Sequence, residues 1–143
     1  MTRRFAIEAE GLPDLSGMML ASIEALKEIG GSATIQELDE KVAEIEGVSE
    51  AEQAFVMQNS AARPRFNYYL AWARTYLKRG GAVENSARGV WALSEIGSKI
   101  TKIEHTKAIY DKVNQEEREK ARLKREAAKV KSNVGGKKPL RII

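Results

Sequence analysis

One segment of the chain, from Arg63 to Gly81, combines two properties that restrict how it can fold. Between Pro64 and the pair Gly80-Gly81 it contains no helix-breaking residue, and Pro favours the first turn of a helix while Gly favours its end. The segment also holds most of the aromatic residues and five basic residues, but no acid. It is therefore predicted to be an amphipathic helix with an aromatic side and a cationic side.

Charge is distributed unevenly over the 143 residues. Residues 116–143 contain ten Lys and Arg against four Glu, whereas residues 1–115 contain 14 basic and 16 acidic residues. Within that body, residues 36–52 carry seven acids and one Lys, and residues 63–79 carry five bases and no acid. The separation indicates one acidic and one basic surface, and basic surfaces commonly face polyanions. The alternative is a mixed surface charge that only keeps the protein in solution.

The composition excludes several classes of site. The chain has no Cys and a single His, His105, so a disulfide framework, thiolate chemistry and a zinc site built on His or Cys are not expected. We expect no metal, no cofactor and no catalytic residue set. No apolar run approaches the length of a membrane span and the N-terminus lacks a signal-peptide pattern, which predicts a cytoplasmic protein.

Hydrophobic periodicity predicts helices upstream of this segment. The stretch DLSGMMLASIEALKEIGG has apolar residues at helical spacing and ends in a Gly pair. The stretch SATIQELDEKVAEIEG offers Ser32 or Thr34 as a capping residue, and Glu37 follows Thr34 by three positions. Ser49 is a candidate cap for a short third helix or an extension of the second. The acids of the second helix are predicted to form a solvated face.

Downstream, the pattern changes to a hairpin and then to a further helix. Short apolar runs at Ala82-Val83 and Val90–Leu93 surround a polar segment rich in turn residues, which predicts two short strands. A helical pattern from Ile96 to Val113 follows, which could pack on the domain or on a second copy. From Gln115 we expect an exposed charged helix that frays into a disordered tail. The predicted divisions are an N-terminal arm (1–14), a folded domain (15–101), a helical extension (102–131) and a flexible basic tail or linker (132–143).

Helices followed directly by a two-stranded hairpin predict a mainly α fold, a winged helix-turn-helix with three to four helices, a β-hairpin wing and a C-terminal helical extension. In such a fold the third helix enters the DNA major groove and the hairpin contacts the backbone. A helical wheel turns Tyr69, Trp72, Ala73, Tyr76 and Leu77 toward the core, with Phe66 and Leu70 at the margin. Trp72 and Trp91 are both expected to be buried.

The opposite side of this helix offers groups that suit DNA. Arg can bond to guanine, Asn to adenine, and Thr can offer a methyl group to thymine, whereas other cations position the protein on phosphates. A solvated polar face is the alternative for each residue. The candidate DNA-binding residues are Arg63, Arg65, Asn67, Tyr68, Ala71, Arg74, Thr75, Lys78, Arg79 and, at the tip of the wing, Arg88.

The block ARPRFNYYLAWARTYLKRGGAVENSARGVWALSEIGSKI resembles the N-terminal domain of the Mrr family of restriction proteins. The similarity rests on WARTYLKRGG, RGVWAL and SEIGSKI, and in weaker form it extends over about residues 15 to 103. The resemblance implies a winged-helix module that binds double-stranded DNA and, in longer members, directs a nuclease domain toward methylated or foreign DNA. The basic tail resembles the connecting segment of such proteins.

A literal match to a nuclease carboxylate pattern, Pro13-Asp14 followed by Asp39-Glu40-Lys41, does not predict an enzyme. These residues fall before the first helix and within the second, whereas Mg²⁺-binding carboxylates of such nucleases converge from neighbouring strands. Two other functions stay open beside a restriction-system DNA reader. One is a dimeric transcriptional regulator that uses the C-terminal helix, and the other is a protein-interaction winged helix whose basic face is incidental.

Overall fold

The fold is described from a computed structural model that covers residues 15–56 and 64–135, with side chains described as far as residue 130. The elements, in chain order, are α1 (Leu15–Ile29), β1 (Ser32–Thr34), α2 (Ile35–Glu46), α3 (Glu50–Gln53), α4 (Arg65–Arg79), β2 (Val83–Ala87), β3 (Val90–Leu93), α5 (Glu95–Ser98) and α6 (Ile103–Gly135). This order confirms the prediction of a mainly α, winged-helix-like fold.

Helix α1 lies at the centre of the core. Its residues are buried on all sides over the first three turns, because α2 and α4 both pack against it. A helix covered all round is apolar all round, which explains the run of Met, Leu, Ala and Ile in this stretch. The helix ends as predicted at Gly30 and Gly31, whose backbone φ angles of 119° and 105° favour glycine.

The predicted caps of α2 and α3 are confirmed. The Thr34 hydroxyl accepts from the backbone N–H of Glu37, and the Glu37 carboxylate accepts from the N–H of Thr34. Ser49 and Glu52 form the same reciprocal pair at the start of α3. These capping boxes satisfy N–H groups that a helix leaves unpaired at its start, and they separate α2 from α3 as two helices.

The wing is present, and it belongs to a three-stranded antiparallel sheet with the order β1-β3-β2. The hairpin prediction missed β1, whose three residues pair with β3 through Ser32 opposite Ala92 and Thr34 opposite Val90. A strand of three residues is too short to show an alternating pattern. Strand β2 also runs further than predicted, to Ala87, so that the turn reduces to Arg88 and Gly89.

The single helix predicted from Ile96 onward is wrong, because the chain forms the short α5 and then begins α6 at Ile103. Gly97 in α5 lies so close to the Ala82 carbonyl that a Cβ atom would come within 2.1 Å of its oxygen. Further along, the Thr106 hydroxyl donates to the Ser16 carbonyl at 2.8 Å, and the Tyr110 ring packs on Tyr76 with 4.9 Å between centroids. The start of α6 therefore packs on the domain, which was one of the two predicted uses of this apolar face.

The chain divides into two compact units, residues 1–110 and residues 111–143. In the second unit, α6 is exposed from residue 115 to residue 130, as predicted, and Arg122 pairs with both Glu119 and Glu126. The predicted arm (1–14) and residues 136–143 of the predicted tail lie outside the described residues, whereas residues 132–135 continue α6. Of the helices described, none has the length and apolar character needed to cross a membrane.

Candidate nucleic-acid interface

Helix α4 is the centre of the candidate site, and its buried face differs from the predicted one. Phe66, Leu70, Ala73 and Leu77 are fully or almost fully buried, whereas Trp72, expected in the core, is 46% exposed. At 100° per residue, the centre of the buried face is rotated by about 60° from the predicted position. The face turned outward therefore contains different side chains from those that the helical wheel suggested.

The exposed middle of α4 is mainly apolar. Four of its side chains line an open depression with a volume of about 360 Å³, namely Tyr68, Ala71, Trp72 and Thr75. We call these four residues the apolar α4 surface. The Thr75 hydroxyl donates to the Ala71 carbonyl at 3.1 Å, so its own helix takes up the hydrogen, and the side chain offers a methyl group outward. The Tyr68 ring is held edge-on against Tyr69, at 5.2 Å between centroids.

The placement of Arg74 on the exposed side is wrong. The residue is 5% exposed, and its guanidinium Nη1 lies 2.6 Å from the Oδ1 atom of Asp39 on α2. The reason lies in the rotation of α4, which carries Arg74 from the outer face to the boundary with α2. In this position Arg74 is an internal ion-pair partner, and it cannot reach a base edge without leaving Asp39.

Asn67 is drawn to the same carboxylate. Its amide Nδ2 donates to Asp39 Oδ2 at 2.8 Å, so both oxygens of Asp39 accept from α4. Asn67 and Arg74 are seven residues apart, which is two helical turns, so their side chains lie on the same line of α4. The Asp39 cluster, as we name these three residues, joins α2 to α4 through charge-assisted hydrogen bonds.

The prediction that the acids of the second helix form only a solvated face is wrong for Asp39, because this residue is only 6% exposed. Burial raises the pKa of its carboxyl above the usual value, and the Arg74 charge together with hydrogen bonds from Asn67 and Arg74 opposes this rise. A signal existed in the sequence, since Asp39 directly follows Leu38 and precedes Val42 by one turn, next to the apolar stripe of α2.

The cationic residues at the C-terminal end of α4 lie beside the wing. Lys78 is exposed, and its Nζ atom donates to the Asn85 side-chain oxygen on β2 at 3.2 Å. Arg79 is exposed, and Arg88 is exposed in the turn of the wing, where the sequence placed it. At the other end of α4, Arg65 is half-buried.

Trp91 on β3 is half-buried, and its ring lies 6.0 Å from both the Arg74 guanidinium carbon and the Lys78 Nζ atom. Among the described side chains, its indole N–H is buried without a hydrogen-bond partner. The ring therefore lies within cation–π distance of both the buried Arg74 and the exposed Lys78.

The predicted DNA-binding residues thus fall into separate groups. The structure brings Tyr68, Ala71 and Thr75 together around one depression, and it exposes Lys78 and Arg79 at the end of α4 and Arg88 in the wing turn. Asn67, which is half-buried, and Arg74, which is buried, both bond to Asp39. Arg65 lies at the start of the helix, and Arg63 lies outside the described residues. Sequence reasoning missed Trp72 and Asn85 as surface residues of this site.

The family model described as the Mrr N-terminal domain matches residues 16–103, which contain the whole of this site. No curated protein and no solved structure is significantly similar to the chain.

Proposed function

Because the chain belongs to the Mrr N-terminal domain family, we propose that it is the DNA-binding module of a restriction system. In this proposal α4 enters the major groove of double-stranded DNA, and the wing lies on the backbone. The module recognises modified or foreign DNA in the cytoplasm and contributes no nuclease chemistry of its own, which a separate domain supplies.

The observation that carries the proposal is the arrangement of charge around α4. The helix contains no acid, its outer face is exposed, Lys78 and Arg79 are exposed at its C-terminal end, and Arg88 is exposed in the turn of the wing. The hydrogen bond from Lys78 to Asn85 shows that the end of α4 lies beside β2 of the wing, so that both can meet one duplex together. Cations placed in this way suit phosphate contacts, which position a protein without reading sequence.

The Asp39 cluster changes which residues are proposed to touch DNA. Asn67 and Arg74 are assigned to the interior, where they bond to Asp39. The phosphate contacts are assigned to Arg65, Lys78, Arg79 and Arg88, with Arg63 proposed from the sequence alone. The contacts with bases are left to the apolar α4 surface.

Replacing Lys78 or Arg88 with Ala should weaken binding to all duplexes and lower the slope of log affinity against log salt by about 0.9 for each phosphate contact removed. Fluorescence anisotropy across a salt series, with methylated and unmethylated versions of one duplex, measures both effects. Lys41→Ala is the matched control, because Lys41 lies on the acidic α2 and pairs there with Glu28 and Glu44.

Slopes unchanged in both variants would contradict the docking of α4 and the wing. A preference of the parent protein for one methylation state supports a reader of modified DNA, and equal affinity for both contradicts that part of the proposal.

The two other functions remain distinguishable by experiment. A regulator with two half-sites would give a palindromic footprint, and a protein-interaction domain would keep its partner when Lys78 and Arg79 are both changed to Glu. Arg74 is unsuitable for such a charge reversal because a buried acid beside Asp39 would unfold the domain rather than test an interface.

A further inference from the structure

The apolar α4 surface lies where a DNA-reading helix would face the bases, and its chemistry is not that of a hydrogen-bonding reader. The two side chains of α4 that the sequence reasoning assigned to bidentate base contacts, Asn67 and Arg74, are bound to Asp39. The exposed middle of the helix instead offers two aromatic rings, a methyl group from Ala71 and a methyl group from Thr75, whose hydroxyl donates to the backbone.

Trp72 is the largest part of this surface and is 46% exposed. A large aromatic side chain that stays this accessible on a folded domain commonly marks a contact site. The small side chain of Ala71 beside it leaves the depression open, so that a partner group can approach the helix closely. The surface is therefore suited to an apolar group of limited size.

The surroundings restrict what kind of molecule can bring that group. Lys78 and Arg79 are exposed on the same helix, Arg88 is exposed on the wing, and α4 contains no acid. The partner must therefore carry negative charge around an apolar centre. In the major groove of DNA, phosphates line both edges, and the C5-methyl group of thymine is the apolar group that the base pairs present.

We propose that the apolar α4 surface packs against thymine C5-methyl groups in the major groove, with Trp72 and Thr75 as the main contacts. This inference rests on the proposed function and deepens it, because it replaces guanine or adenine recognition by Arg74 and Asn67 with methyl-group recognition. In this proposal the preference for thymine arises because its C5-methyl group is buried between the Trp72 indole ring and the Thr75 methyl group. It does not arise from hydrogen bonds to donors and acceptors of the base.

A competition between two DNA pools tests the proposal. Duplexes with the same random central region are synthesised once with thymine and once with uracil, which differ only in the C5-methyl group, and carry different fluorescent labels. The parent protein should enrich the thymine pool, by about fourfold for each methyl group that it buries. Trp72→Ala should bind both pools equally while keeping the salt dependence of the parent, because its phosphate contacts remain.

Ile96→Ala is the matched control, since Ile96 is also an exposed apolar side chain, at 57%, and lies on α5 outside the apolar α4 surface. It should retain the preference of the parent for thymine. Thermal unfolding of both variants verifies that each is folded, and a Thr75→Ser variant, which removes only the methyl group, should reduce the preference without the loss of a large side chain.

The outcomes separate this inference from the proposed function. Equal binding of the two pools by the parent, with the salt dependence intact, overturns the methyl-group contact and leaves DNA binding standing. Absence of binding to either pool at low salt overturns both. If the parent protein binds duplexes with 5-methylcytosine more tightly than duplexes with cytosine, but binds thymine and uracil duplexes equally, the assignment to thymine is overturned.

Discussion

At the scale of single residues, Asp39 and Arg74 illustrate how a position can change its role through burial. An arginine side chain can bond to a DNA base, but that of Arg74 lies inside the protein, with its guanidinium 2.6 Å from the Asp39 carboxylate. An ionised group out of water is costly unless it is paired and hydrogen-bonded, and here each partner meets that need for the other. The pair therefore holds α2 and α4 together inside the domain and does not belong to the proposed DNA-binding surface.

Removing Arg74 should make the stability of the domain depend on pH in a defined direction. Arg74→Met leaves Asp39 buried without the charge that opposed the rise of its pKa. A carboxyl whose pKa is higher in the folded than in the unfolded state stabilises the fold fully below the unfolded pKa. That contribution is lost as pH rises through the folded pKa. We therefore expect the urea midpoint of Arg74→Met to fall as pH rises from the ordinary Asp value of 3.8 toward neutrality.

The comparison is with Arg74→Met combined with Asp39→Asn, which carries no titrating group at position 39. Its midpoint should lack this additional decrease. Identical pH profiles for the two variants would show that Asp39 does not titrate in the range, contrary to the prediction.

At the scale of elements, the Asp39 cluster connects α2 to α4 at two points of α4 separated by two turns. Asp39→Ala should lower the free energy of unfolding by about 3 to 5 kcal/mol, because it leaves the Arg74 charge buried without its partner. Chemical denaturation measures the change.

Asp39→Leu combined with Arg74→Met should recover most of this loss, since it removes both charges and fills similar volume. A double variant that loses as much stability as Asp39→Ala would mean that packing around the pair, and not the unpaired charge, causes the loss.

The elements also show which parts of the fold the sequence could predict. The ends of α1 and the start of α2 were predictable because Gly30, Gly31 and the Thr34–Glu37 capping box act locally. Strand β1 was not, since three residues acquire strand geometry only through pairing with β3. The break between α5 and α6 depends on the approach of Gly97 to the Ala82 carbonyl, which lies in a distant segment of the chain.

The candidate site was predictable in location and only partly in detail. The position of Arg88 in the wing turn follows from local turn chemistry, as does the helix that holds Lys78 and Arg79. The orientation of α4 could not be predicted from the sequence, because a helix with aromatic residues on several sides has no single apolar stripe. The packing of α4 on α1 decides which side is buried, so that Trp72 is exposed and Arg74 lies inside, paired with Asp39 of α2.

At the scale of the whole molecule, the chain divides into two units, residues 1–110 and residues 111–143, and the described part of the second unit is the charged continuation of α6. The second carries much of the positive charge, with ten Lys and Arg against four Glu from residue 116 onward. Its exposed part of α6 is supported by pairs three and four residues apart, such as Arg122 with Glu126, which each stabilise a helix only slightly. We therefore expect the exposed part of α6 to contribute to function through its positive charge more than through packing.

Truncation after Gln115 should leave the thermal unfolding of the remaining domain nearly unchanged and should reduce the salt dependence of DNA binding, because it removes a net charge of +6. Calorimetry and anisotropy test the two parts separately. A chain with a net-neutral tail, made by exchanging Lys129, Lys131 and Lys138 for Glu, distinguishes loss of charge from loss of length. An unchanged salt slope in both would show that the tail does not reach DNA.

Asp39 has a further consequence for how this domain could diverge among related proteins. The number of cations that α4 presents to a duplex is not fixed by α4 alone, since Asp39 on α2 neutralises one of them inside the protein. The five proposed phosphate contacts, which are Arg63, Arg65, Lys78, Arg79 and Arg88, give an expected slope of log affinity against log salt of about −4.5. A substitution at residue 39 that the fold tolerates would change both this slope and the donors available to bases, although no residue of the proposed DNA-binding surface had changed.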